Sequence, residues 1–448
     1  MNIKDKHIVI IGAVRSGLAA AKLVKELGGI PFVSDLGSEE KLAESKKLLV
    51  EENIDHEFGK HSEKIFETDL IITSPGVPSD SEALQKAAEK NIRIISEVEF
   101  AAQFCEGKLI AVTGSNGKTT TTSLITHVLN ESSKICYSAG NIGRAFSDIV
   151  TNVKKGEYVA LETSSFQLDF IKDFKPKFAL ILNITPDHLN RYENNFQNYI
   201  DSKIRIFMNQ DSNDKLIINA DDEVIAKNIS EVKPDLYEFS TKKKVTKGAF
   251  LFEDGLYFIE KNNEEKICSV YDLSLKGEHN IYNVLSVIIV AKLLKIKNEK
   301  IVEALGSFPG VEHRLEFVRK LKGVEFINDS KATNVDSVRY ALQSFDRPIY
   351  LILGGQDKGN DYNEIKESVK NNVAKIYAIG SSSKKIYNFF NGRVDVEIID
   401  SLEEAVVSAN AEAQEESVVL LSPACASFDM FNSYEQRGKI FKEAVNKL

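Results

Sequence analysis

The sequence predicts an α/β fold in three domains, on three observations. Strand-like apolar runs alternate with helical segments along most of the chain, which is the pattern of mainly parallel sheets. The 448 residues are enough for about three domains of roughly 150 residues. A glycine-rich loop stands between a strand and a helix from Gly114 onward, the setting of a mononucleotide-binding unit.

The first unit opens with the apolar run His7–Ile11, turns through Gly12–Gly17 and continues into a helix over Leu18–Leu27. A second strand, Ile30–Ser34, ends at Asp35, and a later one, Asp69–Thr73, runs into Ser74-Pro75-Gly76-Val77-Pro78. This is a Rossmann-like domain spanning 1–96. Its turn, Gly12-Ala13-Val14-Arg15-Ser16-Gly17, lacks the middle glycine of the dinucleotide fingerprint, so NAD binding is not expected. From these residues alone, a turn that packs helix on strand is the better reading.

The second unit, 97–310, restarts at the strand Lys108–Val112 and carries further strands at Tyr158–Leu161, Phe178–Asn183 and Lys215–Asn219. The stretch Phe239–Leu273 reads as a small antiparallel insertion, followed by a helix at Asn280–Leu294. Gly, Pro and Gly within Gly306–Val311 mark a second boundary. The third unit, 311–448, has strands at Val324–Asn328, Ile349–Gly354, Lys375–Ile379 and Ser417–Leu421 with helices between them, again a Rossmann-like, doubly wound pattern.

Composition narrows the function. Hydrophobic residues at 43% and charged residues at 27% describe a globular chain, not a disordered or fibrous one. A net charge of −9 argues against nucleic-acid binding by broad phosphate neutralisation, although local cations can still hold small anions. No apolar run approaches the ~18 residues of a membrane span, so no membrane insertion is expected. Met1–Lys6 leads straight into a strand with no signal-like apolar core. Cys105, Cys136, Cys268 and Cys425 are far apart, which predicts neither a zinc site nor a disulfide framework but a cytoplasmic protein.

The most specific motif is Gly114-Ser115-Asn116-Gly117-Lys118-Thr119-Thr120, a phosphate loop of shortened spacing. Backbone N–H groups and the helix N-terminus cradle phosphate oxygens, Lys118 reaches the terminal phosphates and Thr119 ligates Mg²⁺. Glu162 ends a strand and opens Glu162-Thr163-Ser164-Ser165-Phe166-Gln167-Leu168. Alone it reads equally as a solvated acid; beside a phosphate loop the metal role is favoured. His188, after the apolar run Ala179–Ile184, is a lone histidine of the kind that is usually structural, but it stands at the same functional edge.

Taken together, TGSNGKTT, LETSSFQL, TPDHLNRY, GEHNIYN, NDSKATN and SPACASFDMF resemble the Mur ligases, in order and over all three domains. The resemblance implies an ATP-dependent amide ligase of cytoplasmic peptidoglycan precursor synthesis. Its three domains bind, in turn, a UDP-sugar, ATP and an amino acid. NDSKATN and SPACASFDMF favour addition of D-glutamate to UDP-N-acetylmuramoyl-L-alanine through an acyl phosphate, over a folate-polyglutamylating or later diamino-acid ligase. A phosphate-loop NTPase with a regulatory role is the alternative of a different class, and it would not need the third domain.

Position by position, the resemblance assigns Lys118, His188 and Lys203 to catalysis. It assigns Gly114–Thr120, Asn280, Arg314 and Asp329 to ATP, and Thr119, Glu162, His188 and Lys203 to two Mg²⁺ ions. Read from sequence alone, Lys203 is a solvated helix lysine; the resemblance implies its carbamylation by CO₂. Val14, Arg15, Ser16, Asp35, Ser74, Gly76 and Asn141 match contacts to the UDP substrate. Thr333, Lys358, Ser427, Phe428 and Tyr434 match the D-glutamate site, with Tyr434 standing where relatives often carry phenylalanine. A monomer is expected.

Overall fold

The computed structural model describes residues 1–229, 231–275 and 277–448. It contains three sheets. The first holds β1 (His7–Ile11), β2 (Ile30–Asp35), β3 (Asp55–Phe58), β4 (Leu70–Thr73) and β5 (Ile94–Ser96), all parallel, in the order β3-β2-β1-β4-β5. The helix Arg15–Glu26 packs back on β1 and β2, burying Gly17, Ala19, Ala20, Leu23 and Val24 along one face. A Cβ at Gly17 would run into the Gly12 carbonyl, so this turn needs its glycine to bring helix and strand together.

The second sheet has nine strands. In chain order they are β6 (Lys108–Thr113), β7 (Cys136–Gly140), β8 (Tyr158–Glu162), β9 (Phe178–Ile181), β10 (Lys215–Asn219), β11 (Asp235–Ser240), β12 (Gly248–Phe252), β13 (Gly255–Glu260) and β14 (Asn263–Ser269). Their order is β14-β13-β12-β11-β10-β9-β6-β8-β7. Strands β6 to β11 pair in parallel, and β12 joins β11 in parallel before β12, β13 and β14 turn antiparallel. The expected antiparallel insertion is therefore real, but it extends the main sheet. Strand β8, which lies between β6 and β7, is buried along its whole length, as a strand covered on both faces must be.

In the third sheet, β15 (Glu316–Leu321), β16 (Val324–Asn328), β17 (Ile349–Gly354), β18 (Val373–Ile379), β19 (Asp395–Ile398) and β20 (Val418–Leu421) run β15-β16-β20-β17-β18-β19. All pairs are parallel except β15 with β16.

Packing divides the chain into two compact units, Met1–Leu273 with Ile281–Phe308, and Ser274–Asn280 with Pro309–Leu448. The first two sheets share a unit because one apolar cluster runs through both, from Ile8, Val98 and Phe100 to Phe146, Leu168 and Phe174. Burying such side chains contributes about 1.5–3 kcal/mol each. Glu99 reinforces the junction. Its buried carboxylate accepts backbone N–H groups from Lys172 (3.0 Å), Asp173 (3.0 Å) and Phe174 (2.8 Å). Among the described residues, no helix is long and apolar enough to cross a membrane.

Candidate active site

Strand β6 delivers the chain into the 114–117 loop, and the helix Lys118–Glu131 starts directly after it with Gly117 as its N-cap. Gly117 is left-handed (φ 83°), and a Cβ there would strike the Asn283 side chain. The loop is splinted by Asn183, whose Oδ1 accepts from Ser115 N (3.1 Å) and Asn116 N (2.8 Å) while its Nδ2 donates to Asn116 O (3.1 Å). Lys118 curls over the loop, its Nζ donating to Gly114 O (2.8 Å) and Ser115 O (2.9 Å). That places an ammonium beside backbone N–H groups at a helix N-terminus, an arrangement suited to a polyphosphate.

At the end of β8, Glu162 is 1% exposed. Its Oε2 accepts from Thr119 Oγ1 (2.8 Å), its Oε1 from Asn141 Nδ2 (2.9 Å). The Thr119 hydroxyl and Glu162 carboxylate thus form a pair of hard oxygen donors against the phosphate loop, chemistry that fits Mg²⁺. His188 is left-handed (φ 52°), with its ring 5.3 Å from that of Phe166 and Nε2 3.6 Å from Asp187 Oδ2.

Lys203 departs most from its expectation as a solvated lysine. It lies on the helix Phe196–Ile204 and is 1% exposed. Its Nζ donates to Gly114 O (2.8 Å) and lies 4.5 Å from the Tyr199 ring centre. No carboxylate pairs with it within 4.0 Å among the described residues. Burial first, and then the Lys118 charge, push its pKa well below that of an ordinary lysine. Tyr199 in turn shares a 3.1 Å hydrogen bond with Ser115, tying this helix to the phosphate loop.

The residues matched to the UDP substrate come together in the same unit. Val14, Arg15 and Ser16 form the N-terminus of the helix Arg15–Glu26, and Arg15 reaches across to donate to Asn141 O (3.2 Å) and Gly143 O (3.3 Å). Ser74 Oγ contacts Gly12 O (3.4 Å), and Gly76 faces open space. The Asp35 carboxylate is engaged, accepting Ala13 N (2.7 Å) and Gly37 N (2.7 Å), so in this structure it shapes the loop. Arg191, which has no assigned role in the sequence motifs, donates to Val77 O (2.8 Å) and stacks 4.3 Å from the Phe166 ring centre.

In the other unit, Arg314 and Asp329 are neighbours, with Nη1 to Oδ1 at 3.9 Å. Asp329 also accepts from Ser422 Oγ (2.8 Å) and Leu315 N (3.3 Å), yet burial pushes its pKa up to about 6. Arg314 Nε is buried and has no hydrogen-bond partner among the described residues. Asn280 belongs to this unit and is 7% exposed. Thr333 follows β16, Lys358 stands on an exposed turn after β17, and Ser427 and Phe428 follow β20. Phe428 is 70% exposed, and the Tyr434 ring packs against His313 (6.1 Å) and Lys331 Nζ (5.2 Å). The fully buried Arg437 donates to the carbonyls of Ser330 (2.8 Å) and Cys425 (3.1 Å), joining the loops after β16 and β20.

Comparison with known proteins agrees with this layout. Family models match the Mur ligase MurD-like N-terminal domain over 6–96, the Mur ligase middle domain over 112–291 and the Mur ligase glutamate ligase domain over 313–425. The chain is 43% identical to a UDP-N-acetylmuramoylalanine–D-glutamate ligase of Koribacter versatilis, over 100% of this chain and 99% of that one. It is also 43% identical to the ligase of the same name from Bacteroides fragilis, over 99% of this chain and 100% of that one. Among solved structures, UDP-N-acetylmuramate-alanine ligase from Thermotoga maritima shares the fold at TM-score 0.63 and 21% identity, covering 99% of each chain. Conserved domain order and near-complete coverage by such relatives leave one conclusion: the chain belongs to the Mur ligase family.

Proposed function

We propose that this chain joins D-glutamate to UDP-N-acetylmuramoyl-L-alanine with hydrolysis of ATP to ADP and phosphate, in cytoplasmic peptidoglycan precursor synthesis. Full-length identity of about 40% to ligases of that name supports the substrates. The observation that carries the chemistry is the convergence of two lysines, Lys118 and Lys203, on the Gly114 carbonyl of a phosphate loop that also abuts Glu162 through Thr119.

In the first step a carboxylate oxygen of the muramoyl-alanine substrate forms a bond to the γ-phosphorus as the bond to ADP breaks, giving an acyl phosphate. The D-glutamate amine then bonds to the acyl carbon, loses a proton and expels phosphate, leaving the amide. Both steps bring anions together, so the site must supply positive charge in fixed positions. Lys118 is held over the loop for this purpose. Mg²⁺, where bound at Thr119, Glu162 and His188, would neutralise phosphate charge. Asn141 orients the Glu162 carboxylate, and Arg314 brings a buried N–H, unpartnered among the described residues, that suits a nucleotide phosphate.

Lys203 fits carbamylation on its own chemistry. Burial lowers the pKa of Lys203, which favours loss of its proton, and the deprotonated amine is the form that attacks CO₂. A C–N bond forms, a proton leaves the nitrogen, and the product is an anionic carbamate suited to a second Mg²⁺. We assign 1–96 to the UDP substrate, 97–310 to ATP and 311–448 to D-glutamate. Lys358 and Ser427 would take the amino acid's carboxylates, Thr333, Phe428 and Tyr434 would line its site, and a monomer would suffice.

The test is ADP and phosphate release by the purified chain. Release only with both UDP-N-acetylmuramoyl-L-alanine and D-glutamate present, and not with L-glutamate or D-alanine, is the expected result. Steady hydrolysis without either substrate would favour a regulatory NTPase.

A further inference from the structure

The turn that follows β17 is held at both ends, and its tip is Lys358. Asp357 Oδ1 accepts from Asn360 N (3.0 Å), and Asp357 Oδ2 accepts from Lys385 Nζ (2.7 Å). The same Lys385 Nζ donates to Asn360 O (2.9 Å), so one ammonium closes the turn at its entry and its exit. Burial would raise the Asp357 pKa, but the Lys385 and Asn360 hydrogen bonds overcome it and hold the carboxyl below its usual range. On the other side, Asn360 Nδ2 donates to Ala424 O (3.0 Å) and contacts Cys425 Sγ (3.3 Å). The turn is thereby pinned to the loop after β20 that carries Ser427. Between these anchors the Lys358 side chain makes no hydrogen bond or ion pair among the described residues.

We propose that Lys385 and Asn360, acting through Asp357, are positioning residues that hold the Lys358 turn ready for the side-chain carboxylate of the incoming amino acid. The proposal rests on the assignment of Lys358 to D-glutamate made above. A turn already ordered in the free protein loses less conformational freedom on binding, so its benefit falls on affinity for the one substrate it touches. The brace is separable from the fold. Residues 354–356 are held independently, Gly354 N by Pro423 O (2.9 Å), Gln356 N by Ala426 O (2.9 Å) and Gly355 N by Ser382 Oγ (3.2 Å). Lys385 itself sits on the outside of the helix Ser383–Phe390, with its side chain 45% exposed.

Steady-state kinetics of the full chain test this with Lys385→Met, Lys385→Arg, Asn360→Ala, Lys358→Ala and the Lys358→Ala/Lys385→Met double variant. Lys385→Met and Asn360→Ala are expected to raise KM for D-glutamate about tenfold, with kcat and KM for ATP within about twofold of the parent. Lys385→Arg, which can span the same two acceptors, should restore most of that loss. In the double variant, KM should match that of Lys358→Ala alone, because the brace acts only through Lys358. An unchanged KM in Lys385→Met while Lys358→Ala raises it would overturn the brace and spare the site. Losses that multiply in the double variant, or that move every substrate's KM together, would show a merely structural role. Failure of Lys358→Ala to change KM for D-glutamate would instead remove the assignment beneath it.

Discussion

Replacing Lys203 by methionine separates a structural lysine from a chemical one. The substitution keeps most of the buried volume and deletes the Nζ, whose one hydrogen bond among the described residues is to Gly114 O at 2.8 Å. That carbonyl is not orphaned, because Lys118 Nζ also donates to it at 2.8 Å. The stability cost is therefore one net hydrogen bond, about 1 kcal/mol, and it is offset by relief of a buried amine. Activity should behave differently. If the lysine becomes a carbamate that holds charge at the reacting phosphates, its loss should lower kcat by about 10³, or roughly 4 kcal/mol of transition-state stabilisation. Urea unfolding and the two-substrate ADP-release assay, run on the same preparation, compare these two numbers. Lys203→Ala adds a second arm, since it opens space in which acetate or formate can stand in for the carbamate and restore turnover. Full activity in either variant without added carboxylate, or a loss of activity that simply tracks unfolding, would refute the reasoning.

Lys118→Ala should lower kcat/KM by about 10³ with little change in KM for D-glutamate, as measured by the same assay, because it removes charge at the phosphates. Lys358→Ala should raise KM for D-glutamate by about 10- to 100-fold, the worth of one charge-assisted hydrogen bond, and leave KM for ATP unchanged. Glu97 is 1% exposed with Oε2 unpartnered among the described residues, and burial raises its pKa from 4.5 to about 7. Between those values the folded state holds a proton that the unfolded state releases, so this residue lowers stability as pH rises from about 4.5 to 7. Glu97→Gln should thus raise the unfolding free energy by up to ~3 kcal/mol at pH 8 and change it little at pH 4; equal effects at both pH values in denaturant titrations would contradict this.

Where the side-chain pattern was strong, the sequence was readable to within a residue or two. Lys215–Asn219, Val324–Asn328 and Ile349–Gly354 form strands at the expected bounds, since each is a short apolar run closed by a turn. The helix expected over Leu18–Leu27 begins three residues earlier at Arg15, because Val14 and its neighbours cap it without any side-chain signal. The edge strand β3 was missed because Asp55-His56-Glu57-Phe58 is half-exposed and shows no apolar alternation. The exposed β15, which pairs antiparallel with β16, was missed for the same reason.

The site divides along the same line. The phosphate loop was legible because its chemistry is local: glycine, lysine and threonine at fixed spacing after a strand. Asn183, Asn283, Arg191 and Asn360 carry no local signal, because each acts on a segment more than sixty residues away in sequence. Lys203 had a local clue, since Tyr199 stands one helical turn before it and both face inward.

Sequence alone determined the α/β class, the order of the phosphate loop and its partner motifs, and the family to which they point. Those properties are written in short stretches of adjacent residues. Tertiary structure decided which charges are buried. Lys203 and Arg437 leave solvent only because distant segments close around them, and one oxygen of Asp35 accepts the amide of Ala13, a residue of the preceding strand's turn that meets it only in the folded sheet, while the other takes the local Gly37 amide. Burial and long-range hydrogen bonding depend on where the chain returns, and local composition does not encode that.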